Sequence, residues 1–342
     1  MSRLRALFIC PGRGSYRRGQ LGSLQHTSPA VDAMEQVRAQ RGMKSLREID
    51  ASPRFSSRLH MAGEHASLLT AACSWVDFER LDPEKVEVVA IAGNSMGWYT
   101  ALGIAGVLDI TSCATLIDTM GSYQAGNIIG GQFVYPLTGP DWRPDPKRHA
   151  LVASVVAEIP DLYWSIRLGG IAVLAGTPMA LEAAMERLPS ETRGAVTYPL
   201  VLPLHSAFHT PLLQGTAGTA RTELAHLPWG MPTVPLVDGT GRSWRPLFAD
   251  PAAIAHWTLG DQVSDVFDFT AMVRAALGEY GPDVVILPGP GEGLGGAVAQ
   301  VMIEMGWRDM RSRDDFMAQQ ISGDGPLVSM CRPDQAARVG LG

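Results

Sequence analysis

A chain of 342 residues with a net charge of -6 has room for one large domain or two smaller ones, and it offers no basic footprint to a nucleic acid. Its acidic residues are not gathered in runs, so the charge reads as an ordinary solvated surface. Four cysteines (Cys10, Cys73, Cys113, Cys331) stand far apart, which excludes a dense disulfide framework and fits free thiols in a reducing compartment.

The N-terminal apolar run stops at Pro11-Gly-Arg-Gly after a few residues, too soon for a signal peptide. Leu7-Phe-Ile-Cys10 therefore reads as a first strand entering a glycine-rich turn. No apolar stretch reaches membrane-spanning length, so a soluble, cytoplasmic protein with no membrane partner is expected. Residues 16–60 are polar and mixed, and Glu64 to Trp75 carry an apolar face at helical spacing.

The most informative segment follows. Val86-Glu-Val-Val-Ala-Ile-Ala reads as a buried strand and Tyr99-Thr-Ala-Leu-Gly-Ile-Ala-Gly-Val-Leu as a helix, with Gly93-Asn-Ser-Met-Gly97 between them. A G-x-S-x-G match in a strand-turn-helix setting is a nucleophile elbow. The glycines permit a sharp turn that exposes the Ser95 hydroxyl at a helix N-terminus, where the backbone N–H of Met96 can stabilise an oxyanion. A helix from Cys113 to Gly121 closes this half, and Gly126 to Gly131 marks a junction.

Beyond the junction, Phe133-Val-Tyr-Pro, Leu151-Val-Ala-Ser-Val-Val and Ile171-Ala-Val-Leu-Ala read as strands. Pro178 to Leu188 reads as a helix capped by Thr177. Val284-Val-Ile-Leu287 runs into another glycine-rich turn and then a helix from Gly296 to Met305. The expected division is a large α/β domain at 1–123 and 203–310, a small α+β insert at 124–202, and a surface tail at 311–342. In such an α/β sheet the three glycine-rich turns, each after a strand, converge past the strand ends. His205 and His209 form H-x-x-x-H without the glutamate of a zinc protease, so no metal is expected.

Four segments, in order, resemble the malonyl-CoA:acyl-carrier-protein transacylase family, which includes the acyltransferase domains of polyketide synthases. They are Phe8-Ile-Cys-Pro-Gly-Arg-Gly-Ser15, Gly93-Asn-Ser-Met-Gly-Trp-Tyr-Thr-Ala-Leu102, Ala207-Phe-His-Thr-Pro-Leu-Leu213 and Leu287-Pro-Gly-Pro-Gly-Glu-Gly-Leu294. The resemblance spans about residues 4 to 308. It implies an α/β-hydrolase-like large domain with a parallel sheet and nucleophile elbow, plus a small ferredoxin-like α+β insert. It also implies acyl transfer from acyl-CoA to the phosphopantetheine thiol of an acyl carrier protein, in fatty-acid or polyketide biosynthesis, with no permanently bound cofactor. Ser95 would be the nucleophile and His209 its base. The backbone N–H groups of Met96 and Arg13 would form the oxyanion hole, and a backbone carbonyl in the stretch Gln262-Val-Ser-Asp265, at Ser264 by the best match, would orient His209.

The departures from the family pattern concern the substrate shell. Met120 stands where the family places its malonate-clamping arginine, and a thioether cannot replace a guanidinium fork. Arg13, Asn94 and Trp98 replace a glutamine, a histidine and a glutamate. His65 matches a pocket glutamine, and Arg167 falls where a pocket asparagine lies. On Met120 alone a neutral acyl group is expected, with Arg13 or Arg167 as the alternative partner for a carboxylate. Two other readings share the motifs: a hydrolase that cleaves acyl thioesters on the same scaffold, and a non-catalytic carrier-protein binding partner.

Overall fold

The computed structural model describes residues 3–341. Among the described residues, thirteen strands form three sheets. They are β1 (Leu4–Cys10), β2 (Val86–Gly93), β3 (Gly131–Pro136), β4 (Leu162–Leu168), β5 (Ile171–Gly176), β6 (Glu191–Arg193), β7 (Val196–Tyr198), β8 (Leu200–Leu202), β9 (Leu236–Val237), β10 (Ser243–Trp244), β11 (Phe267–Asp268), β12 (Val284–Leu287) and β13 (Leu327–Ser329).

The large sheet has the order β10-β9-β2-β1-β12-β13, parallel except for β10. Its central strands are apolar on both faces because helices cover both. Along β1, Ala6, Phe8 and Cys10 point into one cluster with Leu68, Trp98 and Leu116, while Leu7 and Ile9 point into another with Met272 and Val298. β1 has β2 on one side and β12 on the other, two strands reached by crossovers in opposite directions. Ligand crevices open past the strand ends at such a switch point. The turns after β1, β2 and β12 meet there: a Cβ on Gly291 would lie 2.9 Å from the Ser15 carbonyl oxygen.

The polar, mixed segment at 16–60, in which no element was read, folds into α1 (Pro29–Gln40), α2 (Leu46–Asp50) and α3 (Ser57–His60) ahead of α4 (Gly63–Glu79). Ser28 and Ser45 cap the first two through their side chains. α5 (Gly97–Ile104) and α6 (Ile110–Ser122) follow the elbow.

In the insert, β3, α7 (Pro146–Glu158), β4, β5, α8 (Pro178–Arg187) and β8 build an antiparallel layer in the order β4-β5-β3-β8, to which β11 adds in parallel at the β4 edge. Leu151 to Val156, expected as a strand, lies inside α7. Asp145 caps that helix by accepting from the Lys147 and Arg148 backbone N–H groups, and Pro146 occupies its first turn. Val152 and Val155, the two residues α7 buries, are three apart, which suits a helix and not a strand.

After the insert come α9 (Gln214–Glu223), α10 (Pro251–Leu259), α11 (Asp261–Ser264), α12 (Phe269–Tyr280) and α13 (Gly295–Met305). Residues 311–342 were expected as a surface tail. Their described part instead forms α14 (Arg313–Ile321), β13 and α15 (Pro333–Ala336). β13 completes the large sheet, with Val328 opposite Ile286 and fully buried. A strand of three residues, Leu327-Val328-Ser329, has too little period to announce itself.

Candidate active site

The elbow is tight because the backbone packs against itself. A Cβ on Gly93 would lie 2.1 Å from the Gly97 carbonyl oxygen, and one on Gly97 would lie 2.3 Å from that of Cys10. Neither position admits a side chain, so the chain turns within five residues and Ser95 adopts φ 54°. Such left-handed conformations in non-glycine residues concentrate at functional sites. His209 also holds a positive φ, 61°.

These two residues, 114 apart in the chain, meet. Ser95 Oγ lies 2.7 Å from His209 Nε2. His209 Nδ1 lies 2.6 Å from the Gln262 carbonyl oxygen. A carbonyl only accepts, so Nδ1 carries the proton and Nε2 presents its lone pair to the serine hydroxyl. The residue that orients His209 is thus Gln262 and not Ser264. The α11 turn points the Ser264 hydroxyl back to the Gly260 carbonyl. The Gln262 side chain accepts from the Tyr99 hydroxyl at 2.7 Å and donates to the Ser95 carbonyl at 3.1 Å. One residue therefore ties the base, the nucleophile's backbone and α5 together. Burial lowers the His209 pKa from 6.5 to about 4, against the raising effect of the Gln262 hydrogen bond. The ring is therefore neutral at pH 7, the form a general base requires.

Among the described residues, neither the Met96 N–H nor the Arg13 N–H donates to another protein group, and both residues line the same cavity as Ser95. The histidine loop is clipped to the insert, where Gln132 donates to Ser165 Oγ at 2.8 Å and Ser165 donates to the Phe208 carbonyl at 2.9 Å. A cavity of about 580 Å³ runs between the large sheet's loops and the insert. Arg13, Asn94, Ser95, Met120, His209 and Gln262 line it, with an apolar wall from the insert that includes Ile166 and Leu168.

Three expected pocket residues lie elsewhere. Trp98 is fully buried behind α5, donating to Thr258 Oγ1 at 2.9 Å and packed edge-on against Trp257. It follows Gly97, the first residue of α5, so its ring falls on the face that meets α10. His65 sits on the α4 face opposite the cavity, with Nδ1 3.0 Å from Arg38 Nη2. Arg167 points out of the insert, stacked over Trp164 and paired with Asp268. A register shift between Trp164 and Ile166 puts Ile166 and Leu168 on the cavity side.

Asn94 and Met120 do line the cavity, Asn94 with its Oδ1 buried and unpartnered. Gln262, Gln132 and Ser165 are the contributors that motif reasoning missed. Gln262 at least lay in the stretch singled out for the orienting carbonyl. Among the described residues no group of three His, Cys, Asp or Glu could hold a metal ion, and no helix is long and apolar enough to cross a membrane.

No family model matches the chain. The malonyl CoA-acyl carrier protein transacylase of Escherichia coli K12 is 25% identical over 237 residues, 68% of this chain and 73% of the relative. That of Salmonella typhimurium LT2 is 23% identical over 300 residues, 86% and 92% of the two chains. Among solved structures, the acyl-carrier-protein S-malonyltransferase of Burkholderia pseudomallei 1710b superposes with a TM-score of 0.74 at 20% identity, covering 98% of each chain. A malonyl-transacylase solved in complex with its type II polyketide synthase carrier protein superposes at 0.69 and 21% identity, covering 88% of this chain and 93% of that one.

Proposed function

We propose that this acyltransferase, a relative of the malonyl-CoA:acyl-carrier-protein transacylases, moves an acyl group from acyl-CoA to a carrier-protein thiol through an acyl-serine. The observation that carries the reading is the 2.7 Å approach of Ser95 Oγ to a His209 Nε2 left free to accept a proton. Serine is a weak nucleophile at its free pKa and needs an adjacent base.

In the first half-reaction Ser95 Oγ attacks the thioester carbonyl while its proton passes to His209 Nε2. The carbonyl oxygen takes the negative charge against the Met96 and Arg13 backbone N–H groups. Collapse breaks the carbon–sulfur bond, and CoA thiolate leaves with the proton from His209. In the second half-reaction the phosphopantetheine thiol gives its proton to His209, its sulfur attacks the ester carbonyl, and Ser95 recovers a proton as it leaves. The cleft between the large domain and the insert would admit the arm.

The test is intact-mass spectrometry after incubation with a set of acyl-CoAs, followed by addition of a holo carrier protein. An acyl adduct that Ser95→Ala abolishes, and that the carrier protein discharges while water does not, is the expected result. An adduct of the same size on Ser95→Ala would refute the nucleophile. Rapid discharge by water alone would favour the hydrolase.

A further inference from the structure

Arg13 extends from the turn after β1 into the same cavity that Met120 lines from α6. The residue is half-buried, but its Nη1 is sealed from solvent and makes no hydrogen bond, and no carboxylate among the described residues pairs with the guanidinium. Its place is prepared by a neighbour. A Cβ on Gly63, at the start of α4, would lie 2.8 Å from Arg13 Nη1 and 2.6 Å from the Gly121 carbonyl oxygen. Glycine at 63 leaves room for the guanidinium beside the end of α6, next to Met120. Burial lowers the Arg13 pKa to about 10, which still leaves it charged at neutral pH. Nη1 faces the protein, and the rest of the guanidinium lines the cavity, where an unpaired cation is complementary to an anionic ligand.

We propose that Arg13 is a specificity-determining residue of this site: its side chain, entering from the turn after β1, receives a carboxylate borne by the acyl group in the place that Met120 leaves uncharged. The proposal rests on the acyl-serine reading above and reverses the neutral-acyl expectation drawn from Met120. The clamp comes from the oxyanion turn and not from α6. The backbone of Arg13 faces the reacting carbonyl while its side chain reads the far end of the same short acyl group. A CoA or pantetheine phosphate is the other anion in the system, but it lies at the opposite end of the arm from the thioester. Arg17, exposed at the cavity rim, is better placed for it. Arg167, the other alternative, is already paired outside the cavity.

The experiment measures the rate of Ser95 acylation by malonyl-CoA and acetyl-CoA for the unaltered protein, Arg13→Gln, and Arg13→Gln combined with Met120→Arg. The unaltered protein should load malonyl faster. Arg13→Gln should lower the malonyl-to-acetyl ratio by about 10- to 100-fold, the range for losing a hydrogen bond to a charged partner. The double variant should restore part of the ratio from the other wall. Equal losses for both donors would mean that Arg13 serves a group they share, and would overturn the proposal. Acetyl loading as fast as malonyl by the unaltered protein would overturn it too. In both cases an adduct still forms, so the acyl-serine reading survives; no adduct from any thioester would remove both. Circular dichroism of each variant separates a lost ratio from a lost fold, and the ratio on whatever fraction folds still decides.

Discussion

His209 carries a consequence for pH. Its imidazole is pushed down to about 4 by burial, so the acid limb of the Ser95 acylation rate should fall near pH 4 and not near the ordinary 6.5. Rates of adduct formation measured from pH 3.5 to 8 test this, and a midpoint near 6.5 would mean that the ring is solvated in the working protein. The same shift bears on stability. The unfolded chain binds the proton near 6.5 and the folded one only near 4, so stability from this group is fully present above about 6.5 and drains as pH falls toward 4.

Ser95 and His209 were legible because each sits in a short motif whose backbone requirement is local. Gln262 was legible only as a neighbourhood, since a backbone carbonyl leaves no side-chain signature. Arg167, Trp98 and His65 misled for one reason. A residue's position in a motif does not say which face of its strand or helix it occupies, and a single register shift at Trp164 turned Arg167 outward.

At the scale of elements, α6 positions Met120 and is anchored from behind. Arg38, fully buried on α1, donates to Asp118 of α6 at 2.8 Å and to the Glu64 carbonyl of α4 at 3.0 Å. Asp118 is itself raised to about 6 by burial despite that partner. Arg38→Met would leave the carboxylate buried without its partner, and a loss of about 3–5 kcal/mol is expected from urea unfolding. A loss below about 1 kcal/mol would show that α6 is held by packing alone. β1 and β2, as apolar runs entering glycine-rich turns, and α4, with an apolar face at helical spacing, could be read in advance. α7 and β13 could not: a short apolar run fits either period until its cap or its sheet partner decides.

For the whole molecule, the described part of 311–342 closes an edge of the large sheet. Deleting residues 311–342 would expose β12 along a run of buried apolar residues, and open edges of that kind recruit other chains. Size-exclusion chromatography should show soluble aggregate or no recoverable monomer. A well-behaved monomer of normal thermal stability would mean that β13 is dispensable. The cleft itself could be anticipated only in outline. The three converging turns follow from strand order, but the insert's wall, with Ile166 and Leu168, and the Gln132–Ser165 clip depend on how two layers dock.

The central position of β1 also governs how the protein is made. β1 is synthesised long before one of its two partners, β12, and the Arg5 backbone N–H waits for an Asp283 carboxylate 278 residues further on. At a synthesis rate of about 5–20 residues per second, that edge of Leu4–Cys10 stays unpaired for roughly 15 to 55 seconds. The nascent chain thus carries a largely buried strand half-paired until β12 is made. An unpaired strand edge is a template for other chains, so until β12 arrives that edge is exposed to wrong pairing.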